Sequence, residues 1–363
     1  MQADSTNGTG RLIGVAAVLL TIAIIILGLV YGRTFIVPLV IALLISLLIG
    51  AGADRLRRLG LPWPLPILGS VLAMLVGIAA VVNIVASQVD DVALAWPRYV
   101  QRLQTLSDSA LSWLGPGISA EITEAFRNLD LMARVPGFVG SAGGFVATVL
   151  LVTLYVGFLL AERGSLEGKV DHLFYSPERA GQMKRVIADI SGSIRRYVWI
   201  KTIMALLTAG VSYAVMRGIG VDFAETWAVL IFLLNYIPSV GAIVGVLFPA
   251  LITILQFETA WQFFAVTAGL ASAQIIIGNV IEPTYMGRTL NLSPFIVIAS
   301  LAFWGMIWGV VGAFLSVPLT TALVIACAYV PSFRWIAVLL SADGLDPLEE
   351  DLQAEPRITH VGA

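Results

Sequence analysis

Apolar residues along the chain gather into long runs divided by short polar connections. Six of these runs, 12–30, 34–50, 65–86, 138–161, 197–216 and 261–281, are 17–24 residues long. That is close to the roughly 20 residues a helix needs to cross a bilayer core. Two more, 226–255 and 294–330, hold 30 and 37 residues. At 1.5 Å per residue the longer would make a helix of about 55 Å, well beyond a hydrocarbon core of about 30 Å. Both must therefore be broken. Break signals lie where they are needed: Pro238-Ser239-Val240-Gly241, then Gly245 and Pro249, in the first, and Gly305, Gly309, Gly312 and Pro318 in the second. The pattern predicts an all-α, polytopic membrane protein with about eight transmembrane helices, two of them broken or re-entrant, and eight crossings is the simplest count.

Two connections have a pattern of their own. Val89, Val92, Trp96, Val100, Leu103, Leu106, Ala110 and Trp113 recur at spacings of three and four with charges on the other faces, which predicts an amphipathic helix. Pro97 is expected to kink it and Gly115-Pro116-Gly117 to end it, with a less regular helical pattern over 118–132. Such an arm fits either a neighbouring subunit or membrane surface, or the end of its own bundle. In the other connection, Ser176-Pro177-Glu178 is a helix start, with a capping hydroxyl, proline in the first turn and a carboxylate at the positive end of the dipole. Met183, Val186, Ile187, Ile190, Ile194 and Tyr197 then mark one face that runs into the next span. The chain accordingly divides into a three-span region (1–86), an outer arm (87–137), a fourth span (138–161), an inner amphipathic helix (162–196), a transport region (197–330) and an acidic tail (331–363).

Composition agrees with the pattern. Hydrophobic residues make up 58% and charged residues 12%, against roughly 45–50% and 25% in soluble domains, and mean hydropathy is +0.92. With the N-terminus in the cytoplasm, fourteen of the 21 basic residues fall on the inner side, so both termini are expected on the cytoplasmic side of the membrane. Net charge is −2 with no basic stripe, which argues against nucleic acid as a partner. One cysteine, Cys327, and two histidines outside the spans supply neither a disulfide nor a metal cage. Protease dyads and phosphate-binding loops are missing too, so the chain reads as no enzyme, with no catalytic residues, metal or cofactor.

Breaks in membrane helices free backbone groups that need a partner or a wet cavity, and discontinuous helices near the midplane are where many transporters bind solute. The same glycines also suit close helix packing. The candidate substrate path is Asn235, Pro238, Ser239 and Gly241, faced by Gly305, Gly309, Gly312 and Pro318. Candidate coupling groups are Lys201, whose ammonium could snorkel to the headgroups, and Glu282 with Asn279 beside it. Glu225 suits a helix-terminus charge.

The ordered set Phe232-Leu233-Leu234-Asn235-Tyr236-Ile237-Pro238-Ser239-Val240-Gly241, Gly278-Asn279-Val280-Ile281-Glu282-Pro283 with Met286-Gly287-Arg288, Leu292-Ser293-Pro294, Phe303-Trp304-Gly305, Trp308-Gly309-Val310-Val311-Gly312 and Leu315-Ser316-Val317-Pro318-Leu319 resembles the autoinducer-2 exporter, or PerM, family of bacterial membrane proteins. The likeness is strong over 197–321. Ser239 stands where that family often has an amide or tyrosine, and Ala313 where it has methionine. The resemblance implies an eight-span, homo-oligomeric inner-membrane transporter in contact with the lipid bilayer. It would export a small polar solute such as autoinducer-2 in quorum sensing, or exchange a monovalent cation (Na+) for H+. A non-transporting oligomeric scaffold is the third reading.

Overall fold

The computed structural model describes residues 4–58, 64–114, 131–174, 176–286, 291–342 and 344. Among them the chain is helical, apart from one isolated bridge between Leu292 and Ser341. Helices α1 (Asp4–Tyr31), α2 (Arg33–Arg58) and α3 (Pro64–Ser87) precede the arm α4 (Val89–Leu114). Two helices of 43 residues come next, α5 (Leu131–Leu173) and α6 (Pro177–Ile219). The arm runs through Pro97 as one helix. Helix α6 starts where expected, with Ser176 at its N-cap and proline behind it, but the Ser176 hydroxyl makes no capping bond. It then continues unbroken from its amphipathic half into the apolar one. Residues 118–130 of the second outer pattern, the turn with Arg288 and the acidic tail beyond Gly344 lie outside the described residues.

The two long apolar stretches both fold back on themselves. The first consists of α7 (Ala224–Leu234) and α8 (Val240–Gln256), joined by a turn at 235–239. Gln256, at the end of α8, bonds the Gly220 carbonyl at 2.7 Å and Asp222 at the start of the hairpin. Trp227 of α7 stacks on Phe248 of α8. This is hairpin 1. After α9 (Trp261–Gln274), a π-helical segment Ile275–Ile281 and α10 (Glu282–Met286), the second stretch forms the element α11 (Pro294–Ala328). Gly309 interrupts it with φ 65° and ψ −143°. Trp304 Nε1 donates to Thr320 Oγ1 at 3.2 Å, although sixteen residues of straight helix would separate the two by about 24 Å. Ile296 and Val297 at its start pack in one cluster with Val324, Cys327 and Ala328 at its end. This is hairpin 2, closed at its base by α12 (Arg334–Leu340), whose Leu340 carbonyl accepts from Ser293 N–H. The arms of both hairpins are about 16–28 Å long, each shorter than a bilayer core. Both stretches are thus re-entrant hairpins rather than kinked crossings, and the apolar helices that remain are the six ordinary ones.

Folding back changes the directions that eight crossings would give. Hairpin 1 begins and ends at the C-terminal end of α6, where Met216, Val221, Ala224, Ile231, Val266 and Leu270 form one core. Helix α9 therefore starts at that end and runs antiparallel to α6, placing Ala273 and Ile277 on Met204. Hairpin 2 has its base at the start of the apolar half of α6, where Ile194, Tyr197 and Val198 meet Val317 and Val324. The hairpins enter from opposite ends of the bundle. Alongside, α2 packs on α5 through Ala42, Val152, Val156 and Leu160.

Glycine is required at the two turns. A Cβ on Gly241 would sit 1.8 Å from the Leu234 carbonyl oxygen, and one on Gly312 1.9 Å from that of Trp304. Backbone cannot yield there as a flexible side chain could. Gly241→Ala and Gly312→Ala are each expected to lower stability by about 2–4 kcal/mol. Gly210→Ala on α6, where the added carbon meets open space, should be neutral or stabilise by up to about 1 kcal/mol. Thermal unfolding of the detergent-purified protein checks the contrast.

Candidate functional site

The turn of hairpin 1 carries four of the expected path residues. Asn235 caps α7 and is buried. Pro238 is half-buried, and Ser239 is exposed at the start of α8. Ser239 has φ 61° and ψ −51°, a region that non-glycine residues leave unless the surroundings hold them there, at about 1–3 kcal/mol. Its hydroxyl makes no capping bond to α8. Gly241 then lets the backbone of α8 pass against Leu234.

The turn of hairpin 2 carries Gly305, Gly309 and Gly312, with Pro318 buried further along the returning arm. Gly305 lies near the Ala313 side chain. Trp308 Nε1 donates to the Leu29 carbonyl of α1 at 2.9 Å, which anchors this tip. The two turns meet through a pair that sequence reasoning had not singled out: Tyr236 and Phe314 stack with ring centroids 4.5 Å apart. The Tyr236 hydroxyl and Thr202 Oγ1 of α6 are 2.6 Å apart. A tyrosine hydroxyl inside a broken apolar helix was the available signal, since buried phenols need a partner.

One residue from Thr202, Lys201 Nζ contacts Glu282 Oε1 at 2.6 Å. Their side chains are 10% and 13% exposed. Lys201 is therefore held by a carboxylate rather than reaching past the helix for headgroups, as snorkelling would have it. The π-helical segment presents Glu282 to α6: its N–H bonds the Ile277 carbonyl, five residues back, in a widened turn of the kind common at functional sites. Asn279 points away and is exposed.

At the opposite end of α6 the arm closes over the base of hairpin 1, so α4 does cap its own bundle. Arg98 Nη2 and the Tyr99 hydroxyl both donate to Asp222 Oδ2 at 2.6 Å. Burial, with the Asp222 carboxylate beside it, pushes the Tyr99 phenol well above its ordinary value, so it stays a donor. Glu225 in the first turn of α7 accepts from Gln88 and Tyr213. Between arm and bundle lies a cavity of about 510 Å³ lined by Gln88, Asp91, Arg98, Arg217, Asp222 and Phe223, among others. Among the described residues no group of three or more acidic, histidine or cysteine side chains is placed to hold a metal.

Broken helices whose tips meet inside an apolar bundle are where many transporters bind solute, and comparison with known proteins agrees. Residues 19–332 match the model of the AI-2E family transporters. The chain belongs to that family. It is 30% identical over 333 residues to the AI-2 transport protein TqsA of Escherichia coli K12, covering 88% of this chain and 93% of that one. A putative transport protein of Haemophilus influenzae is 31% identical over 93% of this chain and 97% of its own length. The putative permease PerM of E. coli is 24% identical over 78% and 84%. This AI-2E family transporter is thus a multi-pass bacterial membrane protein whose relatives carry transport names.

The ion pair makes a stability test possible. Removing one partner strands a buried charge, at about 3–5 kcal/mol, whereas replacing both by apolar groups of like volume is often neutral or better. Lys201→Met alone should therefore lower the thermal midpoint markedly, and Lys201→Met with Glu282→Leu should recover most of the loss.

Proposed function

We propose that the protein exports a small polar solute across the cytoplasmic membrane, with autoinducer-2 or a similar hydroxylated signal as the leading candidate. The observation that carries this reading is the meeting of two oppositely inserted hairpins at Tyr236 and Phe314. Asn235, Ser239 and the backbone around Pro238 and Gly241 supply neutral hydrogen-bonding groups on one side. Gly305, Gly309, Gly312 and Pro318 form the facing gate. A neutral furanose-like solute suits such groups, and the name of the TqsA relative points the same way. Counting basic residues by side, the N- and C-termini lie in the cytoplasm. Hairpin 1 then opens to the outside beneath the arm, and hairpin 2 to the inside. The functional unit is a homo-oligomer.

Flux of labelled autoinducer-2 through the purified protein in proteoliposomes is the direct test, with a pH dye and a sodium gradient in parallel vesicles. Movement of the signal supports export. A sodium-driven pH change without it favours cation/proton antiport, and silence in both favours the scaffold. Ser239→Leu should abolish flux while the elution profile of the assembled protein stays unchanged. Full flux in that variant would remove the hairpin 1 turn from the path.

A further inference from the structure

A lysine–glutamate pair in the apolar part of a transporter calls for an explanation beyond stability. Desolvating both charges offsets much of their attraction, and apolar side chains of the same volume would hold α6 to α10 at least as well. Ionisable groups in such places commonly serve ions or protons. The surroundings connect this pair to the moving parts. Lys201 and Thr202 are neighbours on α6, and Thr202 Oγ1 is bonded to the Tyr236 hydroxyl of the hairpin 1 turn. Tyr236 in turn stacks on Phe314 of hairpin 2. Displacement of the hairpin 1 turn therefore pulls on the turn of α6 that carries Lys201, and Tyr197, four residues before Lys201 and so on its face of the helix, is close enough to both Glu282 and Tyr236 to feel their charge.

We propose that Glu282 is the site at which a proton is taken up and released during transport, with Lys201 as its counter-ion and the hairpin 1 turn as the element the exchange moves. This rests on the transport reading above and names the coupled ion. When the Nζ–Oε1 contact opens, each charge is left in apolar surroundings, and one of them must be neutralised or reach water. Lys201 has a long stem and lies five residues from Arg196, about 7–8 Å along the helix, so its ammonium can stay charged by snorkelling. Glu282 has a short stem and takes a proton from water instead. On closing, that proton returns to water and the ion pair reforms. One O–H bond is made and broken per cycle, and Lys201 remains an ammonium throughout. The titratable neighbours are the Tyr197 and Tyr236 phenols, neutral at physiological pH, and the Cys327 thiol in the core cluster that Tyr197 joins. At the end of the hairpin 2 stretch the Tyr329 phenol donates to Asp189 of α6, and the π-helical segment carries no ionisable side chain.

The test places a cysteine at the turn, Ser239→Cys, in a chain whose single native cysteine is removed by Cys327→Ala. The protein in liposomes is labelled with a small charged methanethiosulfonate at pH about 8 down to about 3.5, a range that spans the titration of a glutamate carboxylate. Rates are read as the ratio of the Glu282→Gln variant to its parent at each pH, which cancels the thiol's own titration. The expected ratio is about fivefold or more at the alkaline end and approaches one at the acid end. Glu282→Asp, which keeps a carboxylate, should retain the pH response with a shifted midpoint. A ratio that does not change with pH, or a Glu282→Asp variant indifferent to pH, overturns the proposal. In flux vesicles the wild-type protein should move protons with autoinducer-2, and Glu282→Gln made in the wild-type chain should exchange the solute at equal pH without moving them. A flat labelling ratio with solute flux intact overturns the proton site alone. A pH-dependent ratio with proton movement but no flux of autoinducer-2 supports the proton site and overturns the export reading.

Discussion

The architecture depends on two places where backbone touches backbone with no room for a side-chain carbon. Gly241 lies against the Leu234 carbonyl and Gly312 against that of Trp304, and these contacts let a helical segment reverse within a few residues. In an apolar medium such a reversal leaves amide and carbonyl groups without water. The turns satisfy part of that need locally: Gly241 N–H bonds the Ile237 carbonyl, and Ile237 N–H that of Leu234. The groups still polar at the turns, Asn235 and the Ser239 hydroxyl, are those a solute could use.

Each reversal also sets the direction of the next helix. Because hairpin 1 returns to the end where it entered, α9 descends antiparallel to α6, and Glu282 arrives beside Lys201. A single crossing by the same residues would have carried Glu282 to the other face of the membrane. The second reversal brings the chain back to the N-terminal part of the α6 apolar face, where α12 and the Leu292–Ser341 bridge close the base. Two hairpins from opposite ends, overlapping at Tyr236 and Phe314, leave α6 as the common strut. Its C-terminal end carries Met216 and the arm-capped vestibule, and its midpoint Tyr197, Lys201 and Thr202.

Several features are unfavourable for stability taken singly. A serine at positive φ, a lysine–glutamate pair out of water and a π-helical segment each weaken the fold. They sit together around one contact between hairpins, whereas the buried core of the α2–α5 interface, Ala42, Val152, Val156 and Leu160, is built from small and branched apolar side chains. Concentrated cost at one place, amid economical packing elsewhere, is the pattern expected of a working site.

The membrane class, the six ordinary helices, the amphipathic arm and the places where two long stretches break were all legible in the order of residues, because bilayer thickness and helix rise turn run length directly into architecture. The polar turn residues Asn235 and Ser239 and the glycines could be named for the same reason. The action of the turns could not be read that way. Gly309 and Pro238 mark a break whether the chain bends slightly or reverses, since local dihedral preference leaves the exit direction free. Only packing of Trp227 on Phe248, and of Ile296 and Val297 on Val324, selects reversal. The Lys201–Glu282 contact, 81 residues apart in sequence, is a consequence of that choice. Run length and composition determine which segments enter the membrane, while long-range contacts decide from which end they enter, because nothing local records the side a chain returns to.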